Sequence, residues 1–274
     1  MSVPVGAIEQ RLSQEAEKLH KGRRTPIDVA ALLEWVGINL RVQIDPTNPS
    51  HGSLLWTDTG VEVIVRREKP RAYLSPRERF TVAHELGHFF IEARFGYKPV
   101  SEAEYWQVEA LCNAFAGRLL LPEGEVRGVL QPWPNTPARL LQSVHRLAEK
   151  HSVSFQVAGR EVVTYVGTAS VGELSDRQEG RSLGKVLWNC ERHLFVGLGR
   201  GAHIMPENPL ADVMRDHAKT HDGARRETRV RGIAIASRRT GRVIRIAALI
   251  PSGETEEIHP TVGSGAVTEP AQQG

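Results

Sequence analysis

The pentapeptide His84-Glu85-Leu86-Gly87-His88 constrains this chain more than any other feature, because it lies inside the segment with the clearest helix signals. Ser75-Pro76-Arg77-Glu78 offers a serine cap, a proline at the first helical position and a glutamate three residues after the cap. A helix is therefore predicted from Pro76 through Phe80, Val82, Leu86, Phe89 and Phe90. Residues four apart lie one turn apart on one helix face, so His84 and His88 can reach a single ion from a rigid frame. Glu85 is displaced around the helix by about 100°, which sets its carboxylate beside a water on the ion instead of on the ion itself. The flanks (Phe80, Val82, Ala83, Phe89, Phe90, Ile91) are apolar, and buried imidazoles and a carboxylate are costly unless something satisfies them. A metal does so directly. Zn²⁺ held by neutral nitrogen and oxygen ligands lowers the pKa of its bound water to about 7 and polarises a carbonyl, while a neighbouring carboxylate moves the water's proton to a leaving amine.

A catalytic zinc needs a third protein ligand and one open position. The next helix, predicted over Glu102 to Leu121, offers Glu102, Glu104 and Glu109. Glu109 is the best placed, because Val108, Leu111, Cys112, Phe115 and Leu119 mark its surroundings as the buried side, whereas Glu102 and Glu104 sit where acids complement a helix dipole. Tyr105 and Asn113 lie one turn either side of Glu109. Asn113 is in reach to orient a ligand and Tyr105 to donate to an oxyanion, and ordinary packing or capping is the simpler reading of each. The remaining histidines show no ligand spacing except His217 and His221, four apart with no acid between them, which are expected as solvated surface residues.

Along the chain, Ala7 to His20 carries Ile8, Leu12, Ala16 and Leu19 at helical spacing. Thr25-Pro26-Ile27-Asp28 has the form of cap, first-turn proline and acid, and leads into Val29, Leu32, Leu33 and Val36. Alternation at Ile38 to Ile44 and Val61 to Val65, with Ser53 to Trp56 between them, predicts a small sheet. A shorter helix is expected at Glu123 to Leu130. After Pro132, Pro134 and Pro137, two short helices follow, one faced by Leu140, Leu141, Val144, Leu147 and Ala148 and one capped by Ser152 or Ser154 and running to Tyr165. The pair has the length of a helix-turn-helix but lacks the usual turn glycine. Strands are predicted at Val186 to Trp188, Leu194 to Leu198, Val230 to Ala236 and Val243 to Ile250, with a hairpin turn at Arg238 to Gly241 and one helix at Pro209 to His217. The expected organisation is α+β: a metallopeptidase domain over 1–131, a helical connector over 132–166, a strand-rich domain over 167–251 and a disordered tail over 252–274.

Composition limits the setting. No apolar run exceeds five residues and there are only two cysteines, Cys112 and Cys190, so the chain reads as cytoplasmic, without a membrane span or a disulfide framework. The net charge of +3 hides an uneven distribution. Eight arginines against Glu227 between Gly223 and Arg245 carry +7 and leave −4 for everything else. That stretch fits either the solvent face of a hairpin or a phosphate-contacting surface, and the latter defines the rival reading: a DNA-binding regulator whose metal site is structural or inactive.

Arg77-Glu78-Arg79-Phe80-Thr81-Val82-Ala83-His84-Glu85-Leu86-Gly87-His88, followed by Glu109-Ala110-Leu111-Cys112-Asn113-Ala114-Phe115-Ala116 and Leu119-Leu120-Leu121-Pro122, resembles the ImmA/IrrE metallopeptidases. The resemblance implies a zincin-like fold with the metal helix on a small sheet over about residues 25 to 130. It also implies His84, His88 and Glu109 as metal ligands and Glu85 as catalytic base, with Zn²⁺ as the ion and Mn²⁺ as the alternative. Members of that family typically cut a helix-turn-helix repressor and so switch on stress-response or mobile-element genes. The longer IrrE-like branch adds a helix-turn-helix-like segment and a GAF-like C-terminal sensor domain, which the length, the helical pair at Thr136 to Tyr165 and the strand-rich end of this chain match.

Overall fold

The computed structural model describes residues 5–249 apart from 48–51, 168, 191–199, 209, 219 and 231–232. The predicted strand at Leu194 to Leu198 and the tail over 252–274 lie outside the described residues. Among the described residues the chain is a mixed α/β molecule with two sheets. Its first half holds α1 (Val5–His20), α2 (Val29–Val36), β1 (Ile38–Ile44), β2 (Gly52–Thr57), β3 (Gly60–Arg67), α3 (Pro76–Phe89), α4 (Glu102–Leu120) and α5 (Glu123–Val129). Among the described residues, no helix is long and apolar enough to cross a membrane.

The small sheet has the order β1-β3-β2, with β1 parallel and β2 antiparallel to the central β3. Val61, Val63, Ile64 and Val65 of β3 are buried, so this strand carries the apolar load of the sheet. On β1 the alternation buries only Ile38, while Val42 and Ile44 are half exposed at the sheet edge. The first cap differs from the expected one. Asp28, not Thr25, caps α2, and its carboxylate accepts from the amides of Ala30 and Ala31. A helix starting at Val29 leaves two free amides within reach of that side chain, and Ile27 before it is buried.

The metal-motif helix begins as the sequence reading expects. Ser75 Oγ accepts from the Glu78 amide and Glu78 accepts from the Ser75 amide, forming a reciprocal capping box. Glu78 has a second partner that the local sequence does not reveal. Arg67 at the end of β3 forms a 2.9 Å ion pair with it, both side chains being buried. Removing one member of such a pair typically costs about 3–5 kcal/mol, because a buried charge is left uncompensated. Arg67 also donates to the Arg71 carbonyl, so the end of the central strand, the connecting loop and the first turn of α3 are tied together. After Phe89 the chain widens into a π-helical turn over Phe90–Arg94.

The second half begins with α6 (Pro137–His151) and α7 (Phe155–Val166). Ser152 between them adopts φ 52°, and Ser154 caps α7. A serine in the left-handed region thus takes the role usually filled by the glycine that this turn lacks. A six-stranded antiparallel sheet follows, built from β4 (Ala169–Ser175), β5 (Gly184–Cys190), β6 (His203–Ile204), β7 (Arg225–Val230), β8 (Ile233–Thr240) and β9 (Val243–Leu249) in the order β6-β5-β4-β9-β8-β7. The expected Val230 to Ala236 strand is divided, Val230 ending β7 and Ile233 to Ala236 opening β8, and the turn into β9 falls at Gly241 and Arg242. The sheet buries both faces. α6 and α7 cover one, against Val171, Ala236 and Ala247, and α8 (Ala211–His217) covers the other, against Leu174, Ile235, Ile244 and Ile246.

Through α6 and α7 the first core continues into this sheet, because buried residues from Ile8 of α1 to Ala247 of β9 form one contiguous cluster. His217 departs from its expected place. It is fully buried on α8, with Nε2 2.8 Å from Ser237 Oγ and Nδ1 3.1 Å from Thr220 Oγ1. The buried face of α8, with Ala211, Val213 and Met214, draws it inward, and two hydroxyls satisfy its ring.

Candidate metal centre

α3 and α4 cross face to face, and the side chains between them build the site. Gly87, in the middle of the motif, is what permits the approach. A Cβ there would lie 3.2 Å from both Cys112 Cα and Phe115 Cδ1 on α4. Cys112 is fully buried at this contact and forms no disulfide, and burial pushes its thiol pKa up. With α4 drawn in so closely, Glu109 reaches the histidine face of α3. One carboxylate oxygen lies 3.3 Å from His84 Nε2 and the other 3.3 Å from His88 Nε2. The two Nε2 atoms are 3.0 Å apart. Among the described residues these three form the cluster of nitrogen and oxygen ligands able to hold an ion.

The spacing fits a small tetrahedral cation. Bonds of about 2.0–2.2 Å in tetrahedral geometry place ligand atoms roughly 3.3–3.6 Å apart, close to the separations seen here. The protonation pattern fits as well. His84 Nδ1 is 3.1 Å from Asn113 Oδ1, an acceptor that holds the proton on Nδ1 and leaves the Nε2 lone pair facing the cleft. Burial, reinforced for His84 by its neighbour His88, lowers the pKa of both rings below the usual histidine value and favours the neutral ligand form.

Glu85 lies beside this triad without joining it. It is almost fully buried against β2, where the Leu54 backbone hydrogen-bonds to it and a Cβ on Gly52 would meet Glu85 Oε1 at 2.7 Å. Burial, with a smaller contribution from the Glu109 charge, pushes its pKa up to about 7. A carboxyl group tuned to neutrality is suited to taking up and giving back a proton. The cleft above these groups has a volume of 650 Å³ and is walled by Trp56, Phe80, Arg77 and Tyr105.

Tyr105 is half exposed and hydrogen-bonds to Glu109, whose charge raises its pKa. Glu102 and Glu104 stay at the start of α4. Ser101 caps that helix, and Glu104 accepts from the Val100 amide. Sequence reasoning missed the β2 wall. Nothing local links Gly52, Leu54 or Trp56 to the motif, although a glycine opening a strand is a sign of close approach. Trp56 stacks on Phe89 and donates to Glu92, fastening that wall to the end of the metal helix.

Residues 39–162 match the family model described as the IrrE N-terminal-like domain, Peptidase_M78. Among solved structures, a Mycobacterium tuberculosis transcriptional regulator shares the fold with a TM-score of 0.54 at 16% identity, over 90% of this chain and 82% of that one. No curated protein gives a significant match.

Proposed function

Through residues 39–162 this chain carries a peptidase domain of the ImmA/IrrE family, and from that premise we propose that it is a cytoplasmic zinc-dependent endopeptidase of narrow specificity that cuts a helix-turn-helix transcriptional repressor. The observation that carries the reading is Glu109 bridging both histidine Nε2 atoms while Glu85 stands apart beside them. A purely structural site has no use for that second, unligated carboxylate. His84, His88 and Glu109 would hold Zn²⁺, with Mn²⁺ as the alternative. The ion, when bound, supplies Lewis-acid polarisation of the scissile carbonyl and a lowered water pKa.

Glu85 takes the proton of the attacking water as its oxygen bonds to the carbonyl carbon, and returns it to the amine nitrogen as the C–N bond breaks. Asn113 keeps His84 in the ligating tautomer, and Tyr105 has its hydroxyl at the cleft for the developing oxyanion. In this scheme residues 1–131 form the zincin-like peptidase, 132–166 the connector, 167–251 a GAF-like domain that gates cleavage, and 252–274 a tail. Derepression of stress-response genes would be the outcome. The helical pair is poorly suited to reading DNA, because α7 exposes Gln156, Arg160 and Thr164, a single basic residue, while the rest of it packs on α4, α5, β4 and β5.

The test mixes the purified chain with the helix-turn-helix repressor encoded nearest its gene, with Zn²⁺ or Mn²⁺, with chelator, and as Glu85→Gln. Metal-dependent cleavage that falls by about 10²–10⁴-fold in Glu85→Gln, at unchanged metal content, is expected. Cleavage that survives the chelator, or an equally active Glu85→Gln, overturns the reading.

A further inference from the structure

Arginines stand opposite one another across three adjacent strands on the sheet face covered by α6. Arg225 of β7 pairs in register with Arg238 of β8, and Arg238 with Arg245 of β9. Like charges directly opposite each other on neighbouring strands repel. Arg245 is compensated by Glu173 at 2.9 Å, but Arg225 and Arg238 have no carboxylate within ion-pair distance among the described residues. From the helix side, Arg139 and Arg146 of α6 face the same space and are equally unpaired there. A chamber of 410 Å³ separates the two elements.

Two buried polar atoms at this chamber have no hydrogen-bond partner, His145 Nε2 and Arg238 Nε. His145 is more than nine-tenths buried, with its ring against Phe155. Buried polar groups in folded proteins are nearly always satisfied, so an orphan nitrogen on a helix residue and another on a sheet residue of the same chamber wall mark a region short of acceptors. Leu141 and Ala236 add an apolar patch to the walls. Glu149 and Glu227 also line the chamber, so its charge is mixed, with five arginines against two carboxylates; the volume and the combination of apolar surface with convergent polar groups are those of a small-molecule site.

We propose that the chamber between α6 and the β7–β8 hairpin binds a small organic oxyanion, a phosphate or carboxylate, whose oxygens accept from Arg225, Arg238 and Arg139 and whose carbon skeleton lies on Leu141 and Ala236. Guanidinium forks suit either group, since both offer two oxygens in one plane. The ligand would clamp α6 to the hairpin. This site is separate from the metal centre, and its existence does not depend on the peptidase reading.

Isothermal titration of the full chain with inorganic phosphate, glycerol 3-phosphate and succinate, at constant ionic strength, tests the assignment. Saturable one-site binding of at least one probe is expected; phosphate probes alone would identify a phosphoryl ligand, and succinate alone a carboxylate. Arg225→Ala should weaken binding by about 10–100-fold, the loss of one charge-assisted contact, and remote Arg242→Ala should leave it unchanged. Arg225 is exposed and holds no carboxylate, so its loss should not impair folding; Arg139→Ala, on the opposite wall, provides a second variant. The proposal fails if no probe saturates, if both Arg225→Ala and Arg139→Ala bind like wild type, or if duplex DNA binds in an Arg225-dependent way while the small anions do not.

Discussion

The cradle between α3 and α4 and the chamber between α6 and the β7–β8 hairpin both gather ionisable groups, and they compensate them in opposite ways. In the cradle each such group has a partner: His84 has Asn113, both histidines have Glu109, and Glu85 has the Leu54 backbone. In the chamber Arg225 and Arg238 face each other with no carboxylate within ion-pair distance among the described residues, and His145 Nε2 and Arg238 Nε have no acceptor there. A site whose groups already satisfy one another keeps its shape before a ligand arrives, which suits chemistry that needs fixed geometry. A site left with uncompensated charge should be stabilised markedly by its ligand, which suits sensing.

The contrast can be broken most severely at the cradle itself. His88→Ala should abolish stoichiometric metal binding, measured by elemental analysis after dialysis, and leave the helical circular dichroism intact. Next, Asn113→Ala should weaken metal affinity by about 10–100-fold, because the His84 tautomer and ring angle are no longer held; competition with a chromogenic chelator measures this. Gly87→Ala probes whether helix approach sets the site. With Cβ contacts of 3.2 Å to α4, overpacking should cost about 1–3 kcal/mol in thermal or denaturant unfolding and also lower metal affinity, since Glu109 moves with α4.

The smallest effect belongs to the chamber. Burial, and then Arg245, Arg238 and Arg225, hold the His145 pKa down at about 4. The unfolded chain protonates this ring near 6.5, so the unfolded state binds more protons between those values. Stability contributed by neutral His145 is therefore complete above about pH 6.5 and is lost as pH falls toward 4. Melting curves across that window should fall less steeply for His145→Gln than for wild type, and a matching slope would remove the arginines from the account of this ring.

Local signals carried the sequence reading a long way. The capping box at Ser75, the motif spacing, the apolar flank of Glu109 and the prolines ahead of α6 all act within a few residues, where backbone geometry and side-chain reach are set by covalent distance. The same logic erred where two local solutions compete, as at Thr25 and Asp28, and where burial depends on distant neighbours, as for His217. It could not find the Arg67–Glu78 pair, the β2 wall around Glu85 or the facing arginines. The partners in these features are brought together by strand register and packing, which a residue pattern does not encode locally.

By itself, then, the sequence determined that one helix presents two imidazoles on a single face with a carboxylate beside them, because helical periodicity leaves no other arrangement for that spacing. Tertiary structure decided which glutamate meets them, how Glu85 is desolvated to a pKa of about 7, and that a row of arginines lines one chamber with a buried histidine. Those outcomes depend on how closely α4 can approach Gly87 and on which strands lie side by side. Desolvation and charge proximity act through space, so they exist only once the chain has folded.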